Sequence, residues 1–238
     1  MNKKDIAIAT MCWARNDDEE KLLKASLFEL NRLNIPVFIT DGGSGIQFLE
    51  FIKSLSNFIL LEPAKGVWLQ TRSSLNKAYD AGLPFIFYTE PDKTDFFIQS
   101  LPDLLENINV DEGTGIVLAS RSKDGFTSFP DFQRMTETTI NNCCKEILEG
   151  SFDYVYGPFL LNRNVVPFLK HLKTEIGWGW RPYSFNIAKR LGLKVNAFEG
   201  DFLCPIDQRE DTASERIYRM KQLLQNIDGL TLSTIVNI

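Results

Sequence analysis

Short apolar runs alternate along this chain with longer stretches in which apolar residues recur three and four apart. Ile6 to Thr10 is the first apolar run, and Met11 to Asn16 follows it as a loop. Asp17-Asp18-Glu19-Glu20 then places acids where the first turn of a helix favours them. Leu22, Leu23, Leu27, Leu30 and Leu33 continue at helical spacing up to Asn34. Pro36 to Ile39 predicts a second strand, Gln47 to Leu55 a helix, Phe58 to Leu61 a third strand and Trp68 to Ala81 a third helix. Phe85 to Tyr88 is apolar and aromatic without a break, as in a strand buried on both faces. The pattern up to Lys93 is therefore β-α-β-α-β-α-β. It predicts an α/β fold, a three-layer α/β/α sandwich around a mostly parallel central sheet.

Beyond Lys93 the pattern is less regular. Asp95 to Leu105 is helical, with a break near Pro102. Gly115 to Ser120 is a strand, Arg121 to Gly125 a polar loop and Pro130 to Leu148 a long helix. Tyr154 to Leu161 is an apolar run, and Val165 to Leu172 a short helix. Tyr183 to Leu191 is a helix stopped by Gly192, Lys194 to Phe198 a strand, and Asp207 to Gln225 a charged final helix with Gly229 after it. Gly177-Trp178-Gly179-Trp180-Arg181-Pro182-Tyr183 fits none of these patterns. No repeat, low-complexity tract or linker interrupts the chain, so residues 1–238 read as one domain, with 1–123 as one half and 124–238 as the other.

Composition narrows the function. The net charge of -5 leaves no basic footprint for nucleic acid. Hydrophobic content of 44% suits a soluble globular protein. Cys12, Cys143, Cys144 and Cys204 lack metal-site spacing and read as reduced thiols of a cytoplasmic protein. The N-terminus reads as neither signal peptide nor membrane span. A single histidine, His171, nearly excludes histidine-based metal clusters and triads.

Three stretches carry candidate chemistry. The buried strand ends at Thr89, and Glu90-Pro91-Asp92 follows at once. Proline cannot continue a central strand, so both acids sit on the turn. Ligands of open α/β sheets bind outside the carboxyl ends of strands. Two oxygen-donor acids there suit a hard cation bridging to phosphates, and a solvated acidic turn is the plainer alternative. Thr40-Asp41-Gly42-Gly43-Ser44-Gly45 allows close approach of backbone to a ligand, although a loop-and-cap role accounts for it equally. Arg72 and Asn76 lie on the helix before the acidic turn. Arg72 reads either as a phosphate ligand or as half of a surface ion pair.

Taken in order, these stretches resemble the nucleotide-sugar glycosyltransferases of the A-type fold (GT-A), above all their large inverting family 2. Thr10 to Asn16 matches the loop after the first strand, including Thr10 and Arg15. Asp41-Gly42-Gly43-Ser44 matches the Asp-Asp-Gly-Ser loop, whose first Asp reads the base or ribose. Arg72 and Asn76 match the Arg-and-Asn pattern ahead of the metal strand, and Glu90-Pro91-Asp92 stands at the Asp-x-Asp position. The likeness covers residues 6 to 123, with a weaker echo in the acceptor region from Trp178 to Gly192. It implies a nucleotide-diphospho-sugar transferase fold, Mn or Mg on Asp92 and Glu90, a nucleotide-diphosphate sugar donor and a small-molecule or glycan acceptor. The chain departs from the family twice. Glu90 replaces the first Asp, and no acid occurs between Gly177 and Gly192, where the family places its base.

The implied reaction is hexosyl transfer, with the metal neutralising the diphosphate and Arg72 assisting. Glu175 is the nearest carboxylate that could serve as base, with Asp131 and Glu137 as others. Trp178 and Trp180 offer aromatic faces for a sugar, or serve as core anchors, and Arg181 suits an anionic acceptor. Two alternatives remain: a catalytically silent nucleotide-sugar-binding protein, and a sugar nucleotidyltransferase. Against the second, Met11-Cys12-Trp13-Ala14-Arg15 contains no glycine.

Overall fold

The computed structural model describes residues 1–237. In chain order the elements are β1 (Ile6–Cys12), α1 (Asp17–Asn31), β2 (Val37–Asp41), α2 (Ile46–Ser54), β3 (Phe58–Leu61) and α3 (Val67–Asp80). Then come β4 (Phe85–Tyr88), α4 (Thr94–Gln99), α5 (Leu101–Asn107), β5 (Thr114–Arg121), α6 (Lys123–Thr127) and α7 (Asp131–Leu148). β6 (Phe159–Asn162), α8 (Trp180–Arg190), β7 (Lys194–Gly200) and α9 (Ala213–Ile235) complete the chain, with 3-10 turns between them. The residues fall into two compact units. The first is Met1–Val110 with Pro158–Val166, and the second is Asp111–Gly157 with Pro167–Ile238.

In the first unit the strands lie in the order β3-β2-β1-β4-β6. β1 pairs in parallel with β2 and β4, and β2 with β3; β6 runs antiparallel to β4, Phe85 facing Asn162 and Tyr88 facing Phe159. In the second unit β5 and β7 pair in parallel, Ile116 with Val195 through Arg121 with Gly200. The strands are thus mostly parallel and joined by helices, as the alternating pattern predicts. β2 and β4 are buried along their whole length, which is why they read as continuous apolar runs. Parallel pairing also brings the C-terminal ends of β1, β2 and β4 to one edge.

Local chemistry explains several boundaries. The Asn16 side chain accepts the Glu19 N–H and starts α1, with four acids in the first turn. Asn34, after the helix, adopts φ 54°, a left-handed conformation that asparagine tolerates. The expected break near Pro102 falls at Ser100, where α4 ends and α5 begins with the proline in its first turn.

The later part of the chain departs from the sequence reading at several points, and the short helix expected at Val165 to Leu172 is a 3-10 segment, Arg163–Leu169. The polar stretch after β5 contains a short helix, α6. Trp180 to Pro182 already belong to α8. The final helix begins at Ala213 rather than Asp207 and runs through Gly229 to Ile235. The sequence pattern places Gly229 after the helix, and glycine disfavours helix interiors. Tertiary packing overrides that preference: a Cβ on Gly229 would lie 1.9 Å from the Gly179 carbonyl oxygen, and one on Gly179 would lie 2.1 Å from the Gln225 carbonyl. The two backbones touch here. Alanine at Gly229 gains about 1 kcal/mol of helix propensity, but it must push the helix off its seat, and overpacking costs about 1–3 kcal/mol or more. Gly229→Ala is therefore expected to lower stability in urea unfolding, whereas Thr138→Ala, at an exposed position of α7, is not.

Candidate functional site

The edge formed by β1, β2 and β4 is knit together by hydrogen bonds. The buried Thr10 hydroxyl donates to the Thr89 carbonyl at 2.8 Å and ties β1 to the start of the acidic turn. The Ser74 hydroxyl donates to the Thr10 carbonyl at 2.7 Å and lies 2.8 Å from the Thr40 hydroxyl. Gln70 Nε2 donates to the carbonyls of Cys12 and Thr40, and the Gly42 N–H donates to the Cys12 carbonyl at 2.8 Å. Thr10, named above as a substrate ligand, has its side chain engaged in the fold.

Asp41 is buried at the end of β2. Its Oδ2 accepts the N–H groups of Gly43 and Ser44 at 2.6 and 2.7 Å, and its Oδ1 accepts the Ser44 hydroxyl at 2.5 Å. Ser44 Oγ also accepts the Ala14 N–H at 2.8 Å, which joins the loops after β1 and β2. Asp41 therefore organises the Asp-Gly-Gly-Ser loop. Cys12 packs against it. Burial pushes the Cys12 thiol well up, and the Asp41 charge pushes it further, so it stays protonated.

Two residues beside this loop, Trp13 and Lys65, are not among the candidates read from the sequence. Trp13 is half exposed after β1. Its Cβ lies 2.9 Å from where a Cβ on Gly42 would sit, so only glycine admits the indole there. Trp13 Nε1 and Lys65 Cε both lie 3.9 Å from the corresponding point on Gly43, whose φ is 123°. An exposed indole and an exposed lysine thus flank the bare backbone of Gly43. A large aromatic directly after a strand was the clue available in the sequence. Arg15, close by, is exposed and grips Glu19 through Nε at 2.9 Å and Nη2 at 2.5 Å, which holds the Glu19 carboxyl below its usual range.

Arg72 and Asn76 are half-buried, one turn apart on the same face of α3. Among the described residues Arg72 makes no ion pair, so the surface-pair reading fails and its guanidinium is available to an anion. Glu90, Pro91 and Asp92 form the turn after β4, all half-buried, with Glu90 Oε2 shielded from solvent. Among the described residues no three His, Cys, Asp or Glu side chains converge. Two hard carboxylates would suit a divalent ion as part of its donor set.

The second unit places the remaining candidates differently. Trp178 and Trp180 are 7% and 0% exposed. Trp178 Nε1 donates to the Tyr218 hydroxyl at 3.0 Å, and its N–H donates to Gln225 Oε1. Both indoles are core, and the glycines beside them exist to seat α9; a Cβ on Gly177 would lie 2.3 Å from the Gln225 amide. At this exposure neither ring presents an open face, which favours the core-anchor reading over the sugar-stacking one. Arg181 is also buried, its guanidinium 4.8 Å from the centre of the Trp178 ring. Glu175 is exposed on the 3-10 turn before Trp178. Asp131 is exposed and pairs with Arg134.

Glu137 is no free base. Arg121, the last residue of β5, donates from Nη2 to Glu137 at 2.6 Å and from Nε to Asp153 at 2.5 Å. Gln133 donates to the other Glu137 oxygen at 2.8 Å, and Asn141 to Asp153 at 3.0 Å. Phe129 and Phe126 flank the guanidinium at 4.3 and 4.9 Å. Burial alone would raise Asp153, but the Arg121 charge and hydrogen bonds hold its carboxyl below the usual range. Burial likewise disfavours the Arg121 cation, and the charges of Glu137 and Asp153 more than offset it.

No protein-family model and no curated protein sequence matches the chain. Solved structures do. Glucosyl-3-phosphoglycerate synthase from Mycobacterium tuberculosis, in complex with Mn2+, UDP-glucose and phosphoglyceric acid, aligns at a TM-score of 0.64 and 15% identity over 97% of this chain and 81% of that one. The same enzyme with glycerol 3-phosphate aligns at 0.61 and 14%, over 98% and 81%. Mannosyl-3-phosphoglycerate synthase from Rubrobacter xylanophilus aligns at 0.63 and 15%, over 98% and 76%. At such identity the likeness bears on fold and leaves activity to the site. The chain has the GT-A fold of the nucleotide-diphospho-sugar transferases.

Proposed function

We propose that this chain is a metal-assisted glycosyltransferase that moves a hexosyl group from a nucleotide-diphosphate sugar to a small anionic acceptor. One observation carries the donor side. A half-exposed indole, a bare glycine backbone, an uncommitted arginine and two carboxylates belong to the loops and helix around one sheet edge, where ligands of such folds bind. Trp13 offers a face to the base, with Lys65 beside it. Asp41 positions the loop, and Arg72 and Asn76 meet the diphosphate. Asp92 and Glu90 would hold Mn or Mg. When bound, the ion neutralises the diphosphate as it leaves. The anionic acceptor is supported by the structural neighbours solved with phosphoglyceric acid and glycerol 3-phosphate.

The test is nucleotide release from UDP- and GDP-sugars with Mn present, with and without phosphorylated or carboxylated small acceptors, and mass spectrometry of the product. Faster release with such an acceptor, and a glycosylated product, is the expected result. Tight nucleotide binding without turnover would instead favour a silent binding protein, a reading supported by the lack of any acid between Gly177 and Gly192. Trp13→Ala is expected to weaken UDP or GDP binding by roughly 1–3 kcal/mol, the range for base–aromatic stacking. Calorimetric titration checks this, and unchanged affinity would remove Trp13 from the site.

A further inference from the structure

We infer that the exposed face of α9 is the contact surface of a symmetric dimer of this chain, independently of the proposed activity. Ile217, Met220, Leu224 and Ile235 are 51%, 50%, 64% and 73% exposed, although all are large and apolar. Residues three, four and seven apart share a helix face. Ile217 and Leu224 are therefore in line, with Met220 beside them and Ile235 further along the same line. The opposite face of α9 is engaged in its own unit through Asn226, Gly229, Leu230 and Ser233.

Charge says what covers this stripe. Lys221 and Asp228 are exposed within it, one turn to either side of Leu224. The ion pairs of the helix, Arg216 with Asp211 and Arg219 with Glu215, leave these two without one among the described residues. A second α9 laid antiparallel, with the two-fold axis at Leu224, solves both problems. Leu224 meets Leu224 of the second copy. Lys221 meets Asp228 of the second copy, and the reciprocal pair forms across the axis. Ile217 then packs on the Thr231 methyl of the second copy. Such self-complementarity is what an isologous two-fold contact requires. A lone helix pair lies at the small end of stable interfaces, so the dimer is expected to be weak, with a dissociation constant in the micromolar range.

Sedimentation velocity over a concentration series tests this with the wild-type chain and four variants. The wild type is expected to shift from monomer to dimer as concentration rises. Leu224→Glu should stay monomeric. Lys221→Glu and Asp228→Lys should each weaken the dimer by at least roughly tenfold, because each places like charges together twice. The double variant Lys221→Glu/Asp228→Lys should restore it. These positions are exposed, and circular dichroism checks that each variant folds. A wild type that stays monomeric throughout, or a double variant no better than either single one, overturns the assignment.

Discussion

Replacing Arg121 by methionine is expected to destabilise the chain by about 3–5 kcal/mol, the cost of removing one partner from a buried ion pair. Arg121 is the cation between Glu137 and Asp153, and its side chain is almost fully buried. Methionine fills much of its volume, so the loss reports charge rather than a cavity. The pH dependence separates the two causes. In the wild type the Asp153 carboxyl lies below its usual range, so its contribution is complete above the unfolded value, near 3.9. That contribution is lost as pH falls through the lower, folded value. In Arg121→Met burial acts on Asp153 without its cation, and the sign reverses. The variant should recover stability relative to wild type as pH falls from neutral to about 4. Urea unfolding at several pH values measures this. A deficit independent of pH would mean that the cluster acts through packing alone.

Asp92→Asn is expected to remove most of the gain that Mn or Mg gives to UDP or GDP binding, and to cut turnover by more than roughly 10–100-fold. Even changes beyond the direct ligands of metal sites cost that much. Asp92 sits on the turn after a fully buried strand, two residues from a second acid. Like charges so close repel unless a cation lies between them. The substitution keeps the shape and removes the charge. Glu90→Gln is expected to do less, since the longer side chain acts through water. Calorimetric titration with metal and with chelator measures the gain in each protein. Equal metal dependence in wild type and Asp92→Asn would refute the assignment. Equal binding by the wild type in chelator would indicate metal-independent chemistry.

The sequence by itself determined the first unit closely. Most of its strands are buried apolar runs such as Phe85 to Tyr88, and α1 carries an apolar stripe behind an acidic start. These are local signals with periods of two or 3.6 residues. The acidic turn was legible for the same reason, since Pro91 ends a strand whatever surrounds it. Tertiary structure alone decided what the polar side chains do. Asp41 and Thr10 stand at family positions in the sequence, yet whether a carboxylate faces a ligand or its own loop depends on the N–H groups that fold back onto it. Arg121, Glu137 and Asp153 are 16 and 32 residues apart, and no local pattern couples them. Trp178, Trp180 and their glycines look like a binding surface until Gly229, 50 residues away from Gly179, lays a helix backbone against them. Close contact between distant backbones leaves only glycine as its trace, and glycine alone does not say what it touches.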